Sequence, residues 1–102
     1  MESDAFQLTK EADPAGEIVL SAEGYLDDAG GAELNREAGA ALATGHTRLR
    51  IDLEAVVLFN CAGARRLLTA LDDLKREGKK VRLVGVRPPL KRALGCAASD
   101  GC

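Results

Sequence analysis

The sequence predicts a small α/β domain: an N-terminal β-hairpin, then helices and strands in alternation, forming a mixed sheet with helices mainly on one face. Three observations carry this. Two short extended runs flank a Pro/Gly turn near the N-terminus. An alternating strand, Leu49-Arg50-Ile51-Asp52-Leu53, puts Leu, Ile and Leu on one face. Ala64, Leu67, Leu68, Leu71 and Leu74 recur at helical spacing. The predicted order is β-β-α-β-α-β-α, and each strand–helix–strand connection implies parallel neighbours.

Taken in order, Phe6-Gln7-Leu8-Thr9 and Ile18-Val19-Leu20-Ser21 are the hairpin strands, with Asp13-Pro14-Ala15-Gly16 between them. Gly24-Tyr25-Leu26-Asp27 leaves the second strand, and Asp27 or Asp28 caps the first helix. Ala32, Leu34, Ala38, Ala41 and Leu42 share one face of that helix. Gly30, Gly31 and Gly39 weaken it by about 1 kcal/mol each, so packing must hold it. The Gly-rich Ala29-Gly30-Gly31-Ala32 lacks the Lys-Ser/Thr of a phosphate-binding loop and reads as a helix entry. Gly78 closes the second helix after Lys75 and Arg76, cations that suit the C-terminal dipole. Val81-Arg82-Leu83-Val84-Gly85-Val86 is a further strand, and Pro88-Pro89 opens a third helix through Leu90, Ala93 and Leu94. One domain is expected over 1–102, its core about 6–94, with 95–102 a frayed tail.

Composition excludes several classes of function. A formal net charge of −2 lacks the basic excess of a general nucleic-acid binder. Phe6, Tyr25 and Phe59 are the only aromatic residues, too few for a base-stacking platform. No apolar run approaches the roughly 20 residues that cross a bilayer, so no direct membrane insertion is expected. Met1-Glu2-Ser3-Asp4 lacks the basic and apolar regions of a signal peptide, so a cytoplasmic location is expected, where thiols stay mostly reduced.

The segment most informative about function is the polar corner Asn60-Cys61-Ala62-Gly63, where an apolar strand and loop run into the second helix. The first turn of a helix exposes unpaired N–H groups and a partial positive charge, so a side chain held there is open to a partner. Asn60 suits the cap. At Cys61 the dipole favours thiolate over thiol, and a small residue packing beneath the loop is the plainer role. Arg65 and Arg66 follow in the first turn, where the dipole disfavours cations; they suit an acidic partner surface or an anion, or else form a solvated face. Asp72 and Arg76 offer an i,i+4 pair.

Four segments together resemble the STAS domain family, the fold of bacterial anti-sigma factor antagonists. Gly24-Tyr25-Leu26-Asp27 is similar to the family's Gly-x-Leu-Asp after its second strand. Leu49-Arg50-Ile51-Asp52-Leu53 is similar to its central strand. Phe59-Asn60-Cys61-Ala62-Gly63 falls where the family usually has Phe-x-Asp-Ser-Ser/Ala-Gly. Val86-Arg87-Pro88-Pro89-Leu90-Lys91-Arg92-Ala93-Leu94 is similar to its Pro-led third helix. The resemblance implies a protein-binding module acting on an anti-sigma factor or kinase-like partner, with the Ser after the Asp as phosphosite. By position Asn60 matches that Asp and Cys61 that Ser. A thiol is not an ordinary substrate of a serine kinase, and Ala62 has no hydroxyl, so docking without Ser phosphorylation is expected through Asn60, Cys61, Ala62, Gly63, Arg65 and Arg66. Family members commonly continue into another strand and helix, so relative to them the C-terminus reads as truncated, ending at Cys102.

Two other functions compete. One is a cytoplasmic STAS accessory subunit of a lipid or solute ABC transporter, with the transporter ATPase as partner. The other is a thiol-based redox sensor, for which Cys96 must approach Cys61 closely enough for a disulfide. Cys61, Cys96 and Cys102 lack the C-x-x-C spacing of a zinc site, and His46 is a lone histidine at a turn. With no metal set, no cofactor motif and no nucleophile–base–orienter combination, a non-enzymatic role is expected.

Overall fold

The computed structural model describes residues 5–45 and 48–98, with side chains described as far as residue 95. Its elements are β1 (Gln7–Ala12), β2 (Ile18–Leu26), α1 (Asp28–Ala43), β3 (Arg48–Phe59), α2 (Cys61–Arg76), β4 (Lys80–Val84) and α3 (Pro88–Ala98). The four strands form one sheet in the order β1-β2-β3-β4. β1 and β2 pair antiparallel, with Gln7 opposite Glu23 and Ala12 opposite Ile18. β2–β3 and β3–β4 are both parallel. The expected small α/β architecture, with its hairpin and mixed sheet, is the observed one.

The core lies between the sheet and the helices. Leu20, Leu26, Ile51 and Leu53 from the strands meet Leu34, Ala38, Ala64 and Leu67 from α1 and α2, all fully buried. Leu90 brings α3 onto the same cluster. The α2 stripe is buried at Ala64, Leu67, Ala70, Leu71 and Leu74. Leu68, placed in that stripe by spacing, is only half-buried, because it lies at the stripe's edge while Ala70 faces inward.

Several boundaries differ from those read by pattern. β2 continues through Leu26 and β3 through Phe59. The β2–β3 register shifts between Ser21 and Glu23 and again between Gly24 and Tyr25, with an extra β3 residue at each shift. Each shift breaks the two-residue alternation, so the pattern stops at Leu53 although the ladder goes on. β4 ends at Val84, before Gly85, whose φ of 69° is left-handed backbone. A Cβ at Gly85 would press on Glu54, whose N–H donates to Asp52 Oδ1 at 2.9 Å.

Two of the three glycines of α1 are contact points rather than weak links. Gly30 and Gly31 are buried; a Cβ on Gly30 would strike the Phe6 ring, and one on Gly31 would strike Arg66 of α2. Their smallness lets α1 approach both neighbours, while Gly39 has open space around it. α3 continues through Ala98, beyond the expected fraying at Gly95, as suits the strong helix formers Ala97 and Ala98. His46 and the remaining tail, 99–102, lie outside the described residues. Among the described residues no helix is long and apolar enough to cross a membrane.

Leu67 is fully buried, so Leu67→Ala should destabilise the domain by about 2–5 kcal/mol, the usual loss for truncating a core Leu. Leu68→Ala should cost distinctly less. Denaturant melts of the two variants check the assignment, and equal losses would contradict the observed orientation of α2.

Candidate functional site

Two helix N-termini stand side by side at the C-terminal ends of β2 and β3. Leu26 and Phe59 are register partners, and the chain turns into a helix after each. Asp27 caps α1, its Oδ1 accepting from Gly30 N–H at 2.8 Å. Asn60 caps α2 in the same way, its Oδ1 accepting from Gly63 N–H at 2.8 Å. Both caps have the extended backbone such positions take. Of the two candidates for the first cap, Asp27 therefore serves, and Asp28 lies within the first turn.

Asn60 is held from three further directions. Its N–H donates to the Leu26 carbonyl at 3.1 Å, and its own carbonyl accepts from Ala64 N–H at 3.1 Å. Its amide Nδ2 donates to the Tyr25 hydroxyl at 3.2 Å. Gly63 is buried so tightly that a Cβ there would collide with the Leu26 carbonyl and approach Asp27 O at 3.0 Å. Cys61 and Ala62, between the cap and this glycine, are both exposed. The corner thus presents two small side chains on a backbone fixed at both ends.

Arg65 and Arg66 are both exposed, and the contacts of Arg66 reach α1. Arg66 Nε donates to Asp28 Oδ1 at 2.8 Å, linking the first turns of α1 and α2, while its Cβ lies over Gly31. This hydrogen bond, and then the charge of Arg66, holds the Asp28 carboxyl below its ordinary value against a small opposing effect of burial. Asp28 in turn favours the protonated guanidinium of Arg66. Arg66 is therefore partly an interhelix tie, whereas sequence alone treats the two arginines as equivalent. The expected Asp72–Arg76 pair is present at 3.3 Å on an exposed face far along α2.

Residues not singled out by sequence also border the corner. Val57 and Leu58 are the exposed large hydrophobic residues among those described, 54% and 53% accessible. Leu58 is the register partner of Tyr25, whose hydroxyl bonds Asn60, so an apolar ledge runs into the corner. The available signal was an apolar run, Val56-Val57-Leu58-Phe59, longer than a strand with one buried face needs. Among the described residues no group of His, Cys, Asp and Glu could hold a metal. A Cys61–Cys96 pairing falls outside the described side chains, as does Cys102.

Gly63→Ala should cost about 1–3 kcal/mol, the range for forcing atoms into a packed site, because the colliding atom is backbone. Cys61→Ala should lower the melting temperature distinctly less, because Cys61 is exposed, and a thermal melt of both variants tests this contrast. The Asp28 carboxyl is depressed in the folded state, so its stabilising effect is present above the unfolded-state pKa and lost as pH falls through the folded value. Arg66→Gln should move the Asp28 titration upward, as read by NMR of its side-chain carboxyl carbon.

Comparison with known proteins adds to this geometry. An anti-sigma factor antagonist STAS domain from Rhodobacter sphaeroides is 27% identical, with a TM-score of 0.64 over 78% of this chain and 86% of that one. An anti-sigma factor antagonist from Mycobacterium paratuberculosis is also 27% identical, with a TM-score of 0.75 over 95% of this chain and 81% of that one. The Bacillus cell fate determinant SpoIIAA, in its phosphorylated form, shares the fold at 19% identity, with a TM-score of 0.69 over 95% of this chain and 85% of that one. No curated protein matches the sequence. The family model described as "Mlab, STAS domain" matches residues 10–101, nearly the whole chain, which therefore belongs to the STAS domain family.

Proposed function

We propose that this chain is a non-catalytic regulatory module that docks on a partner of the anti-sigma factor or kinase-like class, without a phosphorylation cycle. The docking face is the corner of Asn60, Cys61, Ala62 and Gly63, with Arg65 and Arg66 at its edge and the Tyr25–Leu58 ledge beside it. The observation that carries this reading is the exposure of Cys61 and Ala62 on a corner locked by Asn60 and Gly63. Locked backbone with small exposed side chains lets a partner approach closely and lose little entropy on binding. Val57 and Leu58 add the apolar component that the buried centre of a protein interface needs. The two antagonist structures at 27% identity support the partner class.

The chemistry at position 61 separates this module from a phosphorylated antagonist. Modification of a serine by a kinase needs a hydroxyl, and neither Cys61 nor Ala62 supplies one. Regulation then rests on the amount of the module or on the partner's own state. Incubation with an anti-sigma kinase that binds the chain, followed by intact mass measurement after ATP addition, should show no added phosphate. A phosphate on the 60–63 segment would overturn the reading.

Arg65→Glu gives a binding test that leaves the Arg66–Asp28 link between α2 and α1 intact. Added negative charge near a helix N-terminus is tolerated by the dipole, so folding should be little changed. Partner affinity should fall, since like charges facing each other across an interface are strongly unfavourable. Calorimetry against a partner captured from the native cytoplasm, paired with a thermal melt, reads both. Unchanged affinity in a folded variant removes Arg65 from the interface, and capture of a transporter ATPase would transfer the same face to an accessory-subunit role.

A further inference from the structure

The side of the sheet turned away from the helices carries an unexpected concentration of cations. Leu49 and Ile51 point into the core, so Arg48 and Arg50 project from the opposite face of β3. On β4, Val81 and Leu83 pack against the core, and Lys80 and Arg82 project outward likewise. The parallel register sets Arg48 opposite Lys80 and Arg50 opposite Arg82. Two successive rungs thus bring like charges face to face, an arrangement that destabilises a sheet.

Local compensation is incomplete. Arg82 reaches Glu17 at 3.7 Å, and Arg48 Nη2 donates to the Ala15 carbonyl at 3.2 Å. Asp52, the next outward residue of β3, has Oδ1 turned to the Glu54 N–H, and Glu11 lies two strands away on β1. Among the described residues Arg50 and Lys80 make no ion pair. Edge strands often carry charge to block edge-to-edge pairing, which accounts for Lys80 and Arg82 on β4. It does not account for Arg48 and Arg50, because β3 lies between β2 and β4. A chain with a formal net charge of −2 has thus collected four cations on one small area.

We propose that this outer face of β3 and β4 is a second docking surface, and that its occupant is an extended acidic segment of a partner protein with carboxylates at alternate positions. The spacing supplies the match. Arg48 and Arg50, like Lys80 and Arg82, lie two positions apart along a strand, and a second extended chain has the same repeat of roughly 6.6 Å between alternate side chains. Guanidinium groups bind carboxylates with two parallel hydrogen bonds, which favours three arginines here over a purely lysine surface. At the base of the face, Glu17, Arg48, Lys80 and Arg82 border a shallow depression of about 260 Å³.

A membrane is a poorer match, since interfacial docking needs apolar insertion and the exposed Val57 and Leu58 stand at the other end of β3. A nucleic acid would need a longer basic stripe and stacking aromatics.

The probe is a short synthetic peptide of alternating Glu and Gly, titrated into the labelled full chain and followed by NMR. Shifts are expected to centre on 48–50 and 80–82, leaving 60–63 unmoved, so the outcome is independent of the corner's own partner. The Arg50→Gln/Lys80→Gln double variant should bind the peptide about five- to tenfold more weakly, as expected from losing two exposed ion pairs. Its melting temperature should be equal or higher, because a repulsion has been removed. The wild-type shift map decides the matter even if that variant folds poorly. Absence of peptide shifts on these strands would overturn the proposal, as would undiminished binding by a folded double variant. So would two other results that assign the cations elsewhere: binding to phosphatidylglycerol vesicles without peptide binding, or wild-type self-association that the double variant abolishes.

Discussion

The junction around the Leu26 carbonyl organises this molecule. That oxygen accepts the Asn60 N–H, and the space beside it is so confined that position 63 must be glycine. Through this contact the end of β2 fixes where α2 starts, and α2 in turn carries the buried stripe from Ala64 to Leu74. The same junction aligns the caps Asp27 and Asn60, so both helices begin at one edge of the sheet with their positive ends together. Asp28 lies between these ends and engages Arg66, placing a carboxylate where two helix dipoles and a guanidinium favour it. The candidate docking corner is therefore a by-product of how the fold closes, and no additional loop was needed to build it.

How much of this was legible in the sequence depended on whether a feature is local. The Leu49-Arg50-Ile51-Asp52-Leu53 alternation and the α2 stripe announce themselves because burial on one face imposes a repeat. The Asn60 cap was equally visible, since capping is a property of one residue and the next turn. The rest of β3 was hidden because extra residues at its register shifts scramble the repeat. Gly30 and Gly31 read as helix weaknesses when only intrinsic propensity is considered; their benefit appears once Phe6 and Arg66 are known to press on them. Likewise nothing in the sequence joins Arg66 to Asp28, 38 positions away, and the link appears only in the fold.

Charge and apolar surface are sorted to different ends of the sheet. Val57, Leu58 and Tyr25 gather where the parallel strands end, beside the helix N-termini. The arginines and Lys80 gather where β3 and β4 begin, on the face without helices. The middle of the sheet contributes mainly to folding, through Leu20, Ile51 and Leu53. The exposed apolar residues and the cations thus lie at opposite ends of the sheet, with the buried core between them.

The exposed pair Cys61 and Ala62 gives the corner a chemical freedom that its buried neighbour Gly63 lacks. The tightest steric demand at the corner falls on Gly63 and the helix cap on Asn60, while the side chains of the two positions between them stand exposed. Serine is close to cysteine in size, so an exposed position of this kind can hold either without crowding the scaffold. Such an exchange alters which covalent chemistry the corner offers, while the backbone held by Asn60 and Gly63 keeps its shape.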